Sequence, residues 1–147
     1  PRDWSSDVCS SDLPDRPLSW AAAPLKPRTL ATTRLAEHWA HGLDIAEGLG
    51  VTFADTARLR HVAWLGHATL PYAFGLAGLE PVAVRLELTG PDGDTWGYGP
   101  VDAVTRVTGG AGAFCRVGAR RVQPEDTDLA AVGPAGADVL RLVRNWA

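Results

Sequence analysis

The sequence is poor in cysteine, has no long apolar run and concentrates charge of neither sign. Each shortage closes off a class of protein. Only two cysteines occur in 147 residues. Cys9 falls in a segment set aside below, so Cys115 stands alone and no internal disulfide is possible. A reducing cytoplasm is the natural compartment for such a chain. No apolar stretch approaches the roughly eighteen residues that a bilayer-spanning helix requires, so no membrane partner is expected. Net charge is −3 and there is no basic stripe, which argues against nucleic acid. Also missing are a glycine-rich phosphate loop, a dinucleotide fingerprint, a serine-nucleophile elbow, an H-E-x-x-H pair and a C-x-x-C pair. Gly109-Gly110-Ala111-Gly112 lacks the lysine and spacing of a phosphate loop and reads as a loop and helix entry. Cys115 has no histidine near it in sequence, so it reads as a buried structural thiol rather than a nucleophile.

The first residues look foreign to the rest. Asp3 to Leu13 read D-W-S-S-D-V-C-S-S-D-L, which resembles the translation of a common sequencing-library adapter at every position. Residues 1–13 are therefore excluded from fold reasoning, as an expression scar would be. A natural polar N-terminus is the competing reading. If the adapter reading holds, the coding sequence continues upstream of Pro14 and the chain is a fragment whose N-terminal domain is cut through. Without Arg2, Asp3, Asp7 and Asp12 the net charge falls to about −1.

The remainder suffices for about one domain, and 46% hydrophobic residues allow a real core. Pro14, Pro17, Pro24 and Pro27 mark an extended loop. Thr29 is placed to cap a helix over Leu30–Glu47, ended by Gly48-Leu49-Gly50. Leu35, Trp39, Leu43 and Ala46 form its apolar stripe. A second helix runs from Ala57 to about Ala77, with Pro71 set to kink or interrupt it. His61 and His67 lie on different sides of that helix and read as ordinary histidines. From Val82 to Leu88 the period becomes two, the mark of a half-buried strand. Pro91-Asp92-Gly93-Asp94 turns it back into Thr95–Tyr98 as a hairpin. Asp102–Val107 reads as a third strand broken at Thr108-Gly109-Gly110, Ala111–Val122 as a helix, Asp128–Val132 as a short strand and Pro134–Asn145 as a final helix. The order suggests an α+β domain with helices on one face of an antiparallel sheet.

Chemistry concentrates on the first helix. Arg34, Glu37, His41 and Asp44 form a polar stripe at helical spacing, and Glu37 and His41, four apart, leave the same face. A carboxylate and an imidazole presented together are two ligands for a borderline divalent metal such as zinc, and catalytic zinc usually takes three from the protein plus a water. A bundle that keeps a metal between its helices has this kind of stripe. So does a helix whose polar side merely faces water.

At "ATTRLAEHWAHGLDIAEGLGV" the chain resembles the metal-binding maleylpyruvate isomerase family, the mycothiol-dependent relatives of the DinB-like four-helix-bundle proteins. The segments "RLRHVAWLG", "VAVRLELTGPDGDTW" and "VTGGAGAFCRVGARR…DTDLAAVGPAGADVL" are similar to the C-terminal domain of a subgroup described only as metal-binding. The resemblance implies that residues 14–51 hold the loop and last helix of a truncated bundle, and residues 52–147 a small α+β domain of sterol-carrier-like fold. It implies that Glu37 and His41 are metal ligands, with the third, a histidine, on an earlier helix not present in this chain. It implies a divalent metal, zinc, and the thiol mycothiol, whose metal-bound sulfur adds to a conjugated double bond in an isomerase or attacks an electrophile in an S-transferase. The expected partners are a small-molecule substrate and that low-molecular-weight thiol. By resemblance Arg120 and Arg121 are catalytic candidates for holding a substrate carboxylate. Arginines at a helix end can equally serve only the helix dipole. Asp44, close to His41 on the helix, is a candidate second-shell partner for its ring, or simply an exposed carboxylate.

Two other classes of function remain open. The α+β domain could bind an apolar ligand without chemistry, with Trp64, Tyr72, Phe74 and Trp96 lining a pocket, although such aromatics also suit a core. A structural or regulatory relative whose metal only stabilises the bundle is the third.

Overall fold

The computed structural model describes Pro17 and residues 24–146. The adapter-like segment and Pro14 lie outside the described residues. Helix α1 spans Pro27–Leu49 and starts two residues before Thr29. The cap is Lys26, which makes no side-chain capping bond, and Pro27 opens the helix. Proline's fixed φ suits the first helical turn, where its missing N–H costs nothing, so a threonine cap is not needed. Gly50 ends the helix at φ 65, a left-handed conformation that glycine adopts without strain. The buried stripe is Thr33, Ala36, Trp39 and Ala46, while Leu35 and Leu43 are only half-buried. The packed face is thus rotated toward Ala36 relative to the stripe read from hydrophobicity alone.

The expected long second helix is two helices, α2 (Leu59–Ala68) and α3 (Leu70–Leu76), separated at Thr69. Pro71 falls in the first turn of α3, where it starts a helix rather than kinking one. The Thr69 hydroxyl donates to the carbonyl of Arg144 at 2.6 Å, which ties this break to the C-terminal segment.

Strands β1 (Val84–Thr89) and β2 (Thr95–Tyr98) form the expected hairpin, with Leu88 opposite Trp96. Strand β3 (Thr105–Gly110) then pairs with β1 in parallel, from Val84 opposite Thr105 to Thr89 opposite Gly110. The sheet is therefore mixed, in the order β2-β1-β3-β4, and not purely antiparallel. Because β2 ends beside the start of β1, the loop from Gly99 to Val104 has only to step past one strand to set β3 on β1's other side. Nor does β3 break at Thr108. It runs to Gly110, and Gly109 takes φ 133 where an added Cβ would lie 3.0 Å from the backbone of Asp128 and Leu129. A glycine is what lets the strand continue there.

Helix α4 (Ala111–Gly118) follows at once, then β4 (Ala130–Val132), antiparallel to β3, and α5 (Gly136–Leu142). Both helices are shorter than their patterns suggest. The turn after α4 includes Arg120 at φ 60, and after α5 the chain extends at Val143 (φ −49, ψ 137). Val84, Leu86, Leu88, Trp96 and Val107 on one sheet face share a single buried cluster with Leu59, Val62, Phe114, Val117, Val139 and Val143 from the helices. Ala36 and Trp39 of α1 belong to it as well. The other sheet face carries Arg85, Glu87 and Arg106, half-exposed and joined by ion pairs. Helices thus cover one face of the sheet, an α+β arrangement. Cys115 is fully buried beside the carbonyl of Leu59, and burial pushes its thiol far above the ordinary range, as a structural cysteine requires. Among the described residues no helix is long and apolar enough to cross a membrane.

Candidate functional site

Two C-terminal segments meet α1. The Asn145 backbone N–H donates to Gly118 at 3.1 Å, and its side-chain amide donates to the carbonyl of Cys115 at 2.7 Å. This holds the extended segment 143–146 against the tail of α4. Between these segments and α1 lies a cleft of about 390 Å³, lined by Ala36, Glu37, Ala40 and His41 on one side and Ala119, Arg121, Asn145 and Trp146 on the other. The small alanines of α1 leave the space, and helical spacing sets Glu37 and His41 together at its edge.

Glu37 is held by Arg34 Nη1 at 2.6 Å. His41 is open to solvent, its side chain 74% exposed, with Nδ1 3.6 Å from Asp44 Oδ2. Asp44 is gripped instead by Arg121, which donates from Nε to Oδ1 at 2.7 Å and from Nη2 to Oδ2 at 2.6 Å. Arg121 Nη1 also donates to the carbonyl of Ala119. The Arg121 hydrogen bonds hold the Asp44 carboxyl below its usual range against the opposing effect of desolvation, with smaller help from His41. The same pairing raises Arg121 above its ordinary value.

Glu37, His41, Asp44 and Arg121 are thus brought together. Arg120 is not. Its Nη1 donates to the carbonyl of Arg141 at 3.0 Å, and it does not line the cleft. Neither arginine ends a helix, because α4 stops at Gly118, so neither sits in its last turn. Asn145 and Trp146 are cleft residues that the sequence pattern misses. Their role comes from a contact between distant segments, and the one local sign of it is Gly118, where an added Cβ would strike the Asn145 side chain.

Glu37 and His41 offer two donors to a divalent ion. Among the described residues no group of three or more His, Cys, Asp or Glu is placed to hold one. A larger groove of about 790 Å³ lies between the start of α1 and α2, bordered by Lys26, Arg28, Thr29, Thr32, Leu35, His61 and Trp64. The four aromatics expected to line a pocket do not converge on it. Phe74 and Trp96 are core residues, and Tyr72 and Trp64 are exposed.

Fold and cleft together define an α+β protein with an ionisable cleft beside a long helix. Against known proteins, no family model matches the chain and no solved structure matches it. Two uncharacterized proteins of Mycobacterium tuberculosis, from two strains, are each 48% identical to it over 124 residues, covering 82% of this chain and 48% of each relative. The chain therefore spans about half the length of the relatives it matches.

Proposed function

We propose that this cleft is part of a divalent-metal site in a thiol-using isomerase or S-transferase of the maleylpyruvate isomerase kind. The observation that supports the reading is convergence: Glu37 and His41 from α1 and Arg121 from a segment far along the chain border one cleft. On this reading α1 is the closing helix of a metal-binding bundle and residues 52–147 are a sterol-carrier-like domain. Zinc is the ion, mycothiol the thiol and the cytoplasm the compartment.

Glu37 and His41 would hold the ion, and a further donor would come from outside the described residues. When bound, a divalent ion lowers the pKa of a coordinated thiol and so supplies a thiolate at neutral pH. Asp44 lies near Nδ1 of His41 and favours the tautomer that leaves Nε2 for a metal. Arg121 would hold a substrate carboxylate by exchanging it for Asp44, to which its Nε and Nη2 donate in this structure. Ala36, Ala40 and Trp146 form the less polar wall. The test is turnover. In the intact protein, zinc with a low-molecular-weight thiol should support cis–trans isomerisation of a conjugated keto-acid, or S-conjugation of an electrophile, and residues 14–147 alone should not. The double variant Glu37→Ala, His41→Ala should abolish it.

The larger groove favours a second reading, a binding module for an apolar small molecule or lipid. Trp64, 39% exposed, borders it with Leu35. Saturable, metal-independent quenching of tryptophan fluorescence by a fatty acid, lost in Trp64→Phe, would favour this reading over the first.

A further inference from the structure

We propose that the groove between the start of α1 and α2 takes an amphiphile with one anionic head, a long-chain carboxylate, whose head is held by Lys26 and Arg28. The inference rests on the binding-module reading of this groove and names the ligand class that reading leaves open.

On α1, Arg28, Ala31, Thr32 and Leu35 recur at steps of three and four, so one stripe of the helix borders the groove from the first turn into the third. On α2, His61 and Trp64 are three apart and border it from the other side. The α1 side changes character along its length. Lys26 and Arg28, at the helix start, carry fixed positive charge. Further along the helix, Ala31 and Leu35 are apolar. Trp64 is 39% exposed and Leu35 half-buried, so both leave apolar surface open to the groove rather than spending it in the core.

The charge at the groove is of one sign. Among the described residues that border it there is no aspartate or glutamate. A carboxylate head therefore meets cations and no like charge, whereas a cationic head would be repelled. A neutral alcohol gains only the apolar wall. The volume of about 790 Å³ falls within the range of roughly 300–1,000 Å³ usual for small-molecule sites. From Arg28 to Leu35 the helix rises roughly 10 Å, at about 1.5 Å per residue. A tail as short as that of butyrate does not reach from the cations to the far wall, and a dodecyl chain does.

The test is calorimetric titration of the intact protein, in the presence of a chelator, with dodecanoate, dodecanol and butyrate, each below the micellar range. Dodecanoate should bind saturably, dodecanol about tenfold more weakly and butyrate not measurably. The double variant Lys26→Gln, Arg28→Gln should bring dodecanoate down to the affinity of dodecanol and leave dodecanol unchanged. Both cations are exposed, so this variant should stay folded. Equal binding of dodecanoate and dodecanol, or dodecanoate binding that the double variant keeps, would overturn the proposal and leave the binding-module reading standing. No binding of either long-chain ligand would overturn both, and would leave the groove to a protein surface such as a second copy.

Discussion

Arg121 and Asp44 stand 77 residues apart in sequence and meet as a two-bonded ion pair, with contacts of 2.7 and 2.6 Å. The pair joins α1 to the tail of α4 at the mouth of the cleft. Both side chains are partly exposed, 31% and 43%, so solvent screens the pair. Its value lies in placing a positive charge and a carboxylate beside His41.

The pair makes stability depend on pH in a definite direction. Asp44 is held below the ordinary aspartate value of 3.8, so the unfolded chain takes up its proton more readily than the folded chain does. Stability from the pair is fully present above that value and lost as pH falls through the lower folded one. Melting curves of wild type and Asp44→Asn should differ by a constant amount at neutral pH and converge below pH 3.8. A difference that grows on acidification would contradict the assignment.

The core makes a second prediction. Phe114 is fully buried in the cluster joining helices and sheet. Phe114→Ala removes that packing and leaves a cavity, and should cost about 3–5 kcal/mol. Urea unfolding measures this directly. A change below about 1 kcal/mol would mean that the site collapses around the loss or that the cluster is not packed as described.

Two glycines should respond oppositely to alanine. Gly48, near the end of α1, has nothing within 4 Å of an added Cβ, so Gly48→Ala should stabilise by roughly 0.5–1 kcal/mol. At Gly118 the added Cβ meets the side chain of Asn145, which is fixed by its own bonds to Gly118 and Cys115. Gly118→Ala should therefore destabilise by about 1–3 kcal/mol and loosen the wall of the cleft. Chemical denaturation of the two variants side by side checks the contrast.

What could be read in advance follows the range of each signal. The Glu37–His41 pair was legible because helical spacing is local and puts both on one face. The β1–β2 hairpin was legible because alternation and Pro91-Asp92-Gly93-Asp94 are local too. The parallel pairing of β3 was not, since period two marks a strand without its direction and Gly109-Gly110 carry no side chains to continue the pattern. Arg120 and Arg121 look equivalent as neighbours. The left-handed turn at Arg120 sends one to Arg141 and the other to Asp44, and nothing in a run of two arginines announces that turn. Asn145 and Trp146 reach the cleft through contacts with the tail of α4, where residue patterning has no reach.

The most direct measurement for the metal reading is calorimetric titration of zinc into the intact protein, upstream segment included, and into its Glu37→Ala, His41→Ala and double variants. Glu37 is half-exposed and His41 exposed, so the variants should stay folded, which far-UV circular dichroism confirms or refutes in the same samples. The account predicts about one ion bound per intact protein, weakened in each single variant and lost in the double, and weak binding or none to residues 14–147 alone, which hold two of the three ligands. No binding to the intact protein, or undiminished binding in the double variant, would contradict it.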